Sequence, residues 1–173
     1  MGMAIEKAFI EFSCEKLEQL TERICVCLDQ LNAEQIWFRG AQNENAIGNL
    51  VLHLCGNVRQ WIGFGIGGLP DSRERSLEFS ARGGVGANEL KSRLQAAVTD
   101  AIAIIGGLTR ERLEQETRIQ NYDVTVLQAV LHVVEHFAGH AGQIIFSTKH
   151  FTGKGLGFYR HLDSPQSPPQ STP

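Results

Sequence analysis

Residues 125–150 read TVLQAVLHVVEHFAGHAGQIIFSTKH, and this stretch decides the fold class. Apolar side chains recur in it every three or four residues, which predicts an amphipathic helix over residues 124–150, capped by Asp123. The apolar stripe consists of Val126, Val130, Val133, Phe137, Ala141 and Ile144. A row of histidines runs beside this stripe, on the border of the expected core.

The rest of the chain predicts three further helices of the same kind. They cover residues 4–31, 46–65 and 88–105. A Gly-rich, charged stretch at 65–86 and a polar stretch at 109–123 predict long loops. Because no strand pattern is visible, the sequence predicts an all-α four-helix bundle with long inter-helix loops over residues 1–162. The tail at 163–173 has the Pro- and Ser-rich composition of a disordered segment.

Composition narrows the class of partner and the compartment. The 173 residues carry a net charge of -3, which argues against a nucleic-acid-binding protein. Charges interrupt the N-terminal segment where a secretory signal needs an apolar core, and no apolar run approaches the roughly 18 residues of a membrane span. We expect a cytoplasmic protein with no membrane contact, in which the four cysteines are free, mostly buried thiols. These are Cys14, Cys25, Cys27 and Cys55.

The histidine row predicts a metal site. His132, His136 and His140 are spaced by four, so neighbours share one helix face and can reach one ion. All three span about 12 Å along the axis, so one ion takes only an adjacent pair. His53, on the second helix, is the best third ligand. Spacing alone leaves open which pair binds, and also leaves open a metal-free cluster held by hydrogen bonds.

Four passages resemble the DinB/YfiT-like metalloenzyme superfamily, in particular one uncharacterised DinB-like subgroup. NAIGNLVLHLCGNVRQW (45–61) and VLHVVEHFAGHAGQII (130–145) carry the specific part, a helix with one histidine and the pattern His-x-x-x-His-x-Gly-Gln. LEFSARGG (77–84) and TKHFTGKGLGFYR (148–160) are similar to the subgroup. The resemblance implies a four-helix bundle with an unusual chain order, and a homodimer.

The resemblance also implies a ligand set. By similarity, His53, His136 and His140 would bind one divalent metal ion, for which zinc or nickel are the leading candidates. Ala141 stands where many relatives have Arg, which departs from the family pattern. Three residues are candidates for orienting the ligands from outside the set, namely His132, Asn57 and Gln143.

Three histidine ligands leave one position of a tetrahedral ion open, which is typical of catalytic rather than structural sites. An ion there activates a water or binds a thiolate. Some members of the superfamily are thiol S-transferases that use low-molecular-weight thiols. The leading hypothesis is therefore a metal-dependent transferase or hydrolase of a small molecule, with no catalytic residue identified. The alternative is a non-enzymatic metal-binding or stress-response bundle.

Overall fold

The protein is represented by a computed structural model, which describes residues 4–163. Four long helices form a bundle, which confirms the predicted all-α fold; the predicted tail lies outside the described residues except for Asp163. The elements in chain order are α1 (Ile5–Asp29), α2 (Ala33–Trp37), α3 (Ile47–Val58) with a π-helical continuation (Arg59–Phe64), α4 (Arg75–Ser80), α5 (Ala87–Gly106), α6 (Arg110–Glu114), β1 (Glu116–Ile119), β2 (Tyr122–Thr125), α7 (Val126–Thr152) and a final 3-10 turn (Arg160–Asp163).

The chain order within the bundle explains two of the three connections between the long helices. α1 packs against α5 and α7, and α3 packs against the same two helices. The helices that follow one another, α1 with α3 and α5 with α7, therefore occupy opposite corners. Each of these connections has to cross the end of the bundle, which a short turn cannot do.

Apolar faces of all four helices meet in one core. The largest fully buried side chains come from every long helix, as the three-to-four-residue periodicity requires. They include Leu17, Ile24, Leu28, Leu54, Ile62, Leu90, Leu94, Ile105, Phe137 and Ile144. Within residues 4–163, no helix is both long and apolar enough to cross a membrane.

The Gly-rich stretch at 65–86 is not entirely a loop, as the sequence had suggested. It contains the short helix α4, which packs against α3. The helix has only six residues and mostly exposed side chains, so it lacks the long apolar stripe that predicts a helix. Its one buried residue is a carboxylate, Glu78.

The polar stretch at 109–123, which the sequence predicts to be a loop, instead contains α6, β1 and the start of β2. Residues of β1 and β2 pair antiparallel around a two-residue turn, in which Gln120 adopts a positive φ of 56°. Each strand has four residues, too few to show a clear alternation. The hairpin is anchored by Ile119, which is fully buried against Gly65. A β-carbon at Gly65 would lie 2.3 Å from the Ile119 Cδ1 atom, so the close approach requires glycine there.

The cap of α7 is Thr125 rather than the predicted Asp123. The backbone N–H of Gln128 donates to the Thr125 hydroxyl oxygen at 3.2 Å, and the Thr125 backbone N–H donates to Gln128 Oε1 at 2.8 Å. This reciprocal pair is a capping box. Asp123 instead lies in β2, which runs directly into the helix, so the helix starts two residues later than predicted.

Candidate metal centre

The three predicted ligands meet at one point between α3 and α7. His136 Nε2 lies 3.1 Å from His53 Nε2 and 3.2 Å from His140 Nε2. All three candidate ligand atoms lie within 4.8 Å of one another. Nitrogens held 2.0–2.1 Å from a tetrahedral ion would be about 3.3–3.4 Å apart. The two separations from His136 Nε2 are within a few tenths of an ångström of that value, so the donor set fits a zinc-like ion.

Proton counting favours an ion over a histidine cluster held by hydrogen bonds. Each nitrogen–nitrogen contact needs one proton to become a hydrogen bond, and a neutral imidazole carries only one. His53 and His140 each direct the other ring nitrogen, Nδ1, at a side-chain oxygen 2.8 Å away. Arg73 Nη2, a donor, also lies 3.1 Å from His53 Nδ1, but the closer carboxylate oxygen of Glu78 can only accept, which favours the proton on Nδ1. With both Nδ1 atoms protonated, both Nε2 atoms are acceptors. His136 can then satisfy only one of its two neighbours, whereas one cation satisfies all three nitrogens.

A buried ion pair holds His53 in this tautomer. Glu78 Oε2 lies 2.8 Å from His53 Nδ1, and both side chains are more than nine-tenths buried. Arg73 donates two hydrogen bonds to the same carboxylate, from Nε to Oε1 at 2.7 Å and from Nη2 to Oε2 at 2.9 Å. Burial alone would raise the pKa of Glu78, but the hydrogen bonds from Arg73 and His53 outweigh it and hold that pKa below its usual value. Glu78 is therefore a carboxylate, the usual outer partner of a metal-binding histidine.

The arginine is itself fixed by neighbours. Arg73 Nη1 donates to Gln60 Oε1 at 2.9 Å, and Gln120 of the hairpin turn donates to the same oxygen at 2.8 Å. The network thus runs from the β-hairpin through Gln60 and Arg73 to Glu78. Gly56 makes room for it, because a β-carbon there would lie 1.9 Å from Glu78 Oε1.

The α7 histidines are held in their neutral form. Burial is the largest cause that lowers the pKa of His136, to about 3, and the neighbouring imidazoles add to it. Burial likewise lowers the pKa of His140, against the opposing hydrogen bond to Gln143. Neutral imidazole is the form that binds metal. His136 Nδ1 is buried and finds no hydrogen-bond partner among the described residues.

The three residues predicted to orient the ligands take different positions. Gln143 accepts the hydrogen bond of His140 Nδ1 at 2.8 Å. His132 lies outside the cluster, with its ring 5.7 Å from that of His136 and 4.1 Å from that of Trp61. Asn57 is buried one helical turn after His53 on α3. Within residues 4–163 it makes no hydrogen bond to the three candidate metal-binding histidines. Its Oδ1 has no partner in residues 4–163.

A cavity of about 410 Å³ opens onto the cluster. His53 and His136 reach its wall, and Trp61 enters it from the π-helical turn that continues α3. The hairpin and α4 contribute further lining residues. The complete lining is His53, Asn57, Trp61, Arg73, Arg75, Gln120, Tyr122, Val124, Gln128, His132 and His136.

Sequence reasoning missed Arg73 and Glu78, the residues that fix His53. Both lie in the stretch expected to be a loop, and charged residues in a Gly-rich stretch usually face water. The passage LEFSARGG, which resembles a family subgroup, contains Glu78 and was the one signal available.

The fold and the histidine cluster define the class: a DinB-like helical bundle with a candidate metal centre. A solved structure of a conserved protein from Enterococcus faecalis is similar at TM-score 0.70 and 17% identity, covering 88% of this chain and 100% of that one. The DinB-like protein YjoA from Bacillus subtilis is similar at TM-score 0.63 and 16% identity, covering 88% and 97%. At these identities the likeness concerns the fold alone.

The family follows from the sequence itself. Residues 4–162 match the family model DUF1572, described as a protein of unknown function. The chain belongs to this family, which is a DinB-like one. No curated protein matches the chain.

Proposed function

We propose that this protein binds one divalent metal ion through His53, His136 and His140 and is a metal-dependent transferase or hydrolase of a small molecule. Transfer of a thiol group, as in thiol S-transferases, is the leading reaction. The observation that carries the proposal is the convergence of three imidazole Nε2 atoms, with two of the three histidines, His53 and His136, lining a 410 Å³ cavity. A purely structural site would be closed on all sides.

The ion, when bound, would supply a Lewis acid that lowers the pKa of a water or thiol in its open position. Imidazole ligands suit zinc and nickel, which are the metals we expect. The protein's own residues supply position and environment. Glu78 and Gln143 keep the Nδ1 protons of His53 and His140 in place, so both Nε2 lone pairs face inward.

The cavity wall offers one candidate for moving a proton. Among residues 4–163, no Asp or Glu lines the cavity, so none of the described carboxylates is a candidate base there. His132 lines the cavity, and burial is the largest cause that lowers its pKa, which keeps its imidazole neutral near pH 7. We infer that His132 would accept the proton that a water or thiol gives up when it binds beside the three histidines.

Metal content tests the first half of the proposal. Wild type, His136→Ala and His132→Ala would be purified without a metal-binding tag and analysed by elemental mass spectrometry. We expect about one equivalent of metal per chain in wild type and in His132→Ala, and almost none in His136→Ala. Equal content in wild type and His136→Ala, or no uptake of added zinc or nickel by wild type, refutes the metal centre.

Turnover tests the second half. The metal-loaded protein and its His132→Ala variant would be assayed with low-molecular-weight thiols and electrophilic acceptors, and with hydrolysable esters. We expect turnover that is lost with the metal and reduced in His132→Ala at full metal content. A loaded protein that turns over no substrate supports the alternative of a non-enzymatic metal-binding bundle.

We also propose that the protein is a homodimer and that it is located in the cytoplasm. The homodimer implied by the resemblance is tested by sedimentation velocity, where a single species of twice the chain mass is expected. A cytoplasmic location is tested by fractionation of cells that make the untagged protein.

A further inference from the structure

The cavity beside the histidine cluster carries an uncompensated positive charge. Of the two arginines in its lining, Arg73 is neutralised by its two hydrogen bonds to Glu78. Arg75 makes no ion pair within residues 4–163, and no carboxylate lines the cavity. The chain as a whole has a net charge of -3, so this concentration of positive charge is local.

Arg75 is oriented relative to the metal centre by an aromatic ring. Its guanidinium group lies 4.8 Å from the centre of the Phe79 ring, within the range of a cation–π contact. The same Phe79 ring lies 4.7 Å from the ring of His53. One phenyl ring therefore contacts both the free arginine and a metal-ligand candidate, which keeps the two at the same end of the cavity.

Aromatic rings form another part of the cavity lining. Trp61 packs on His132 at 4.1 Å between ring centres, and Tyr122 of the hairpin lies 6.2 Å from Trp61. Asn57 adds a buried carboxamide to this cavity; it is 4% exposed and its Oδ1 has no partner among the described residues. A buried amide without a partner is costly, so a ligand or water that hydrogen-bonds to it is favoured.

We propose that the cavity binds a small organic carboxylate with a planar body, whose carboxylate pairs with Arg75 while the body lies against Trp61 and Tyr122. The proposal rests on the proposed function, since it identifies this cavity as the substrate side of the metal centre. A charge-assisted contact to a guanidinium group is stronger than a neutral hydrogen bond, which makes a carboxylate the preferred group at that end.

The test compares a carboxylate with its neutral analogue on the metal-free protein. Binding of 4-fluorobenzoate and 4-fluorobenzamide would be measured by fluorine NMR at pH 8 and low ionic strength, where imidazoles of ordinary pKa are neutral and screening is weak. We expect wild type to bind the carboxylate roughly tenfold more tightly than the amide, as one charge-assisted contact would give. Arg75→Gln should abolish the preference, and Arg75→Lys should retain part of it.

Arg59→Gln is the matched control, because Arg59 is an exposed arginine at the start of the π-helical continuation of α3 and lines a different, larger cavity. It should keep the preference unchanged. Equal binding of both probes, no binding of either, or a preference that survives Arg75→Gln overturns the proposal. Because the protein is metal-free in this experiment, these outcomes are independent of the metal content that tests the proposed function.

Discussion

Replacing Glu78 by glutamine is the sharpest test of how His53 is held. The change keeps the shape of the side chain but removes the charge that accepts from His53 Nδ1 and from Arg73. Loss of an outer partner of a metal-binding histidine typically weakens the metal 10- to 100-fold. We therefore expect the dissociation constant for zinc to rise by that factor, equivalent to about 1.4–2.7 kcal/mol of binding free energy.

The same substitution also affects the folded state. Arg73 is only 5% exposed, so its guanidinium group would stay buried without a counter-charge. Removing one partner of a buried ion pair typically costs about 3–5 kcal/mol. Because glutamine still offers one acceptor oxygen to Arg73, we expect the lower end of that range in the free energy of unfolding of the metal-free protein.

A double variant separates the two effects. In Arg73→Gln with Glu78→Gln no charge is left buried, so much of the lost stability should return. Metal affinity should stay low, because His53 still lacks its carboxylate. Stability would be measured by urea unfolding of metal-free protein, and affinity by competition with a chromogenic zinc chelator.

Glu74→Gln is the control, since Glu74 is an exposed carboxylate just before α4 whose side chain makes no cap hydrogen bond. It should leave both quantities unchanged. If Glu78→Gln binds zinc as tightly as wild type, or if the double variant recovers metal affinity together with stability, the carboxylate does not position His53 and the reasoning is wrong.

Three other predictions follow from the same geometry. His136 has a pKa of about 3 in the folded protein, below the usual 6.5, so between these pH values the unfolded chain binds more protons than the folded one. The thermal stability of the metal-free protein should therefore be full above pH 6.5 and fall as the pH drops toward 3. In His136→Gln, which lacks this titrating group, the fall should be less steep. Gly56→Ala should weaken zinc binding about tenfold, because the added β-carbon displaces Glu78, even though alanine has the better helix propensity. Gly139→Ala is the control: a β-carbon there meets nothing within 4 Å, so zinc affinity should be unchanged. Burial raises the pKa of Cys55 to about 12, so mass spectrometry should find it unmodified by iodoacetamide at pH 8 until the chain is unfolded.

The long helices were predictable because their apolar periodicity is a local property of the sequence. All four begin and end within a few residues of the predicted bounds, apart from α3, whose predicted span also covers the π-helical turn. The hairpin and α4 were not predictable, since elements of four to six residues carry too little pattern and are stabilised by contacts from elsewhere. Ile119 illustrates this: it is buried only because Gly65, more than fifty residues earlier, leaves space for it.

The candidate site shows the same division at the level of single residues. His136 and His140 belong to one helix, so a spacing of four was enough to place them together, and the resemblance supplied His53 from another helix. The structure brings the three side chains together, while metal binding by them stays a prediction. No sequence spacing relates Glu78 to His53, which is 25 residues away and on an element that was itself not predicted.

The hydrogen-bond partners of the histidines distinguish the two interpretations of the histidine cluster, a metal site and a metal-free cluster held by hydrogen bonds. With only the histidines, a hydrogen-bonded cluster and a metal site are equally consistent with the sequence. Glu78 on His53 and Gln143 on His140 fix both Nδ1 protons, which leaves two Nε2 acceptors facing a third imidazole that can donate to only one of them. A cation between the three nitrogens would give each of them a partner. The hydrogen bonds to the two Nδ1 atoms therefore favour a metal site over a hydrogen-bonded cluster, and they do so more strongly than the spacing of the histidines does.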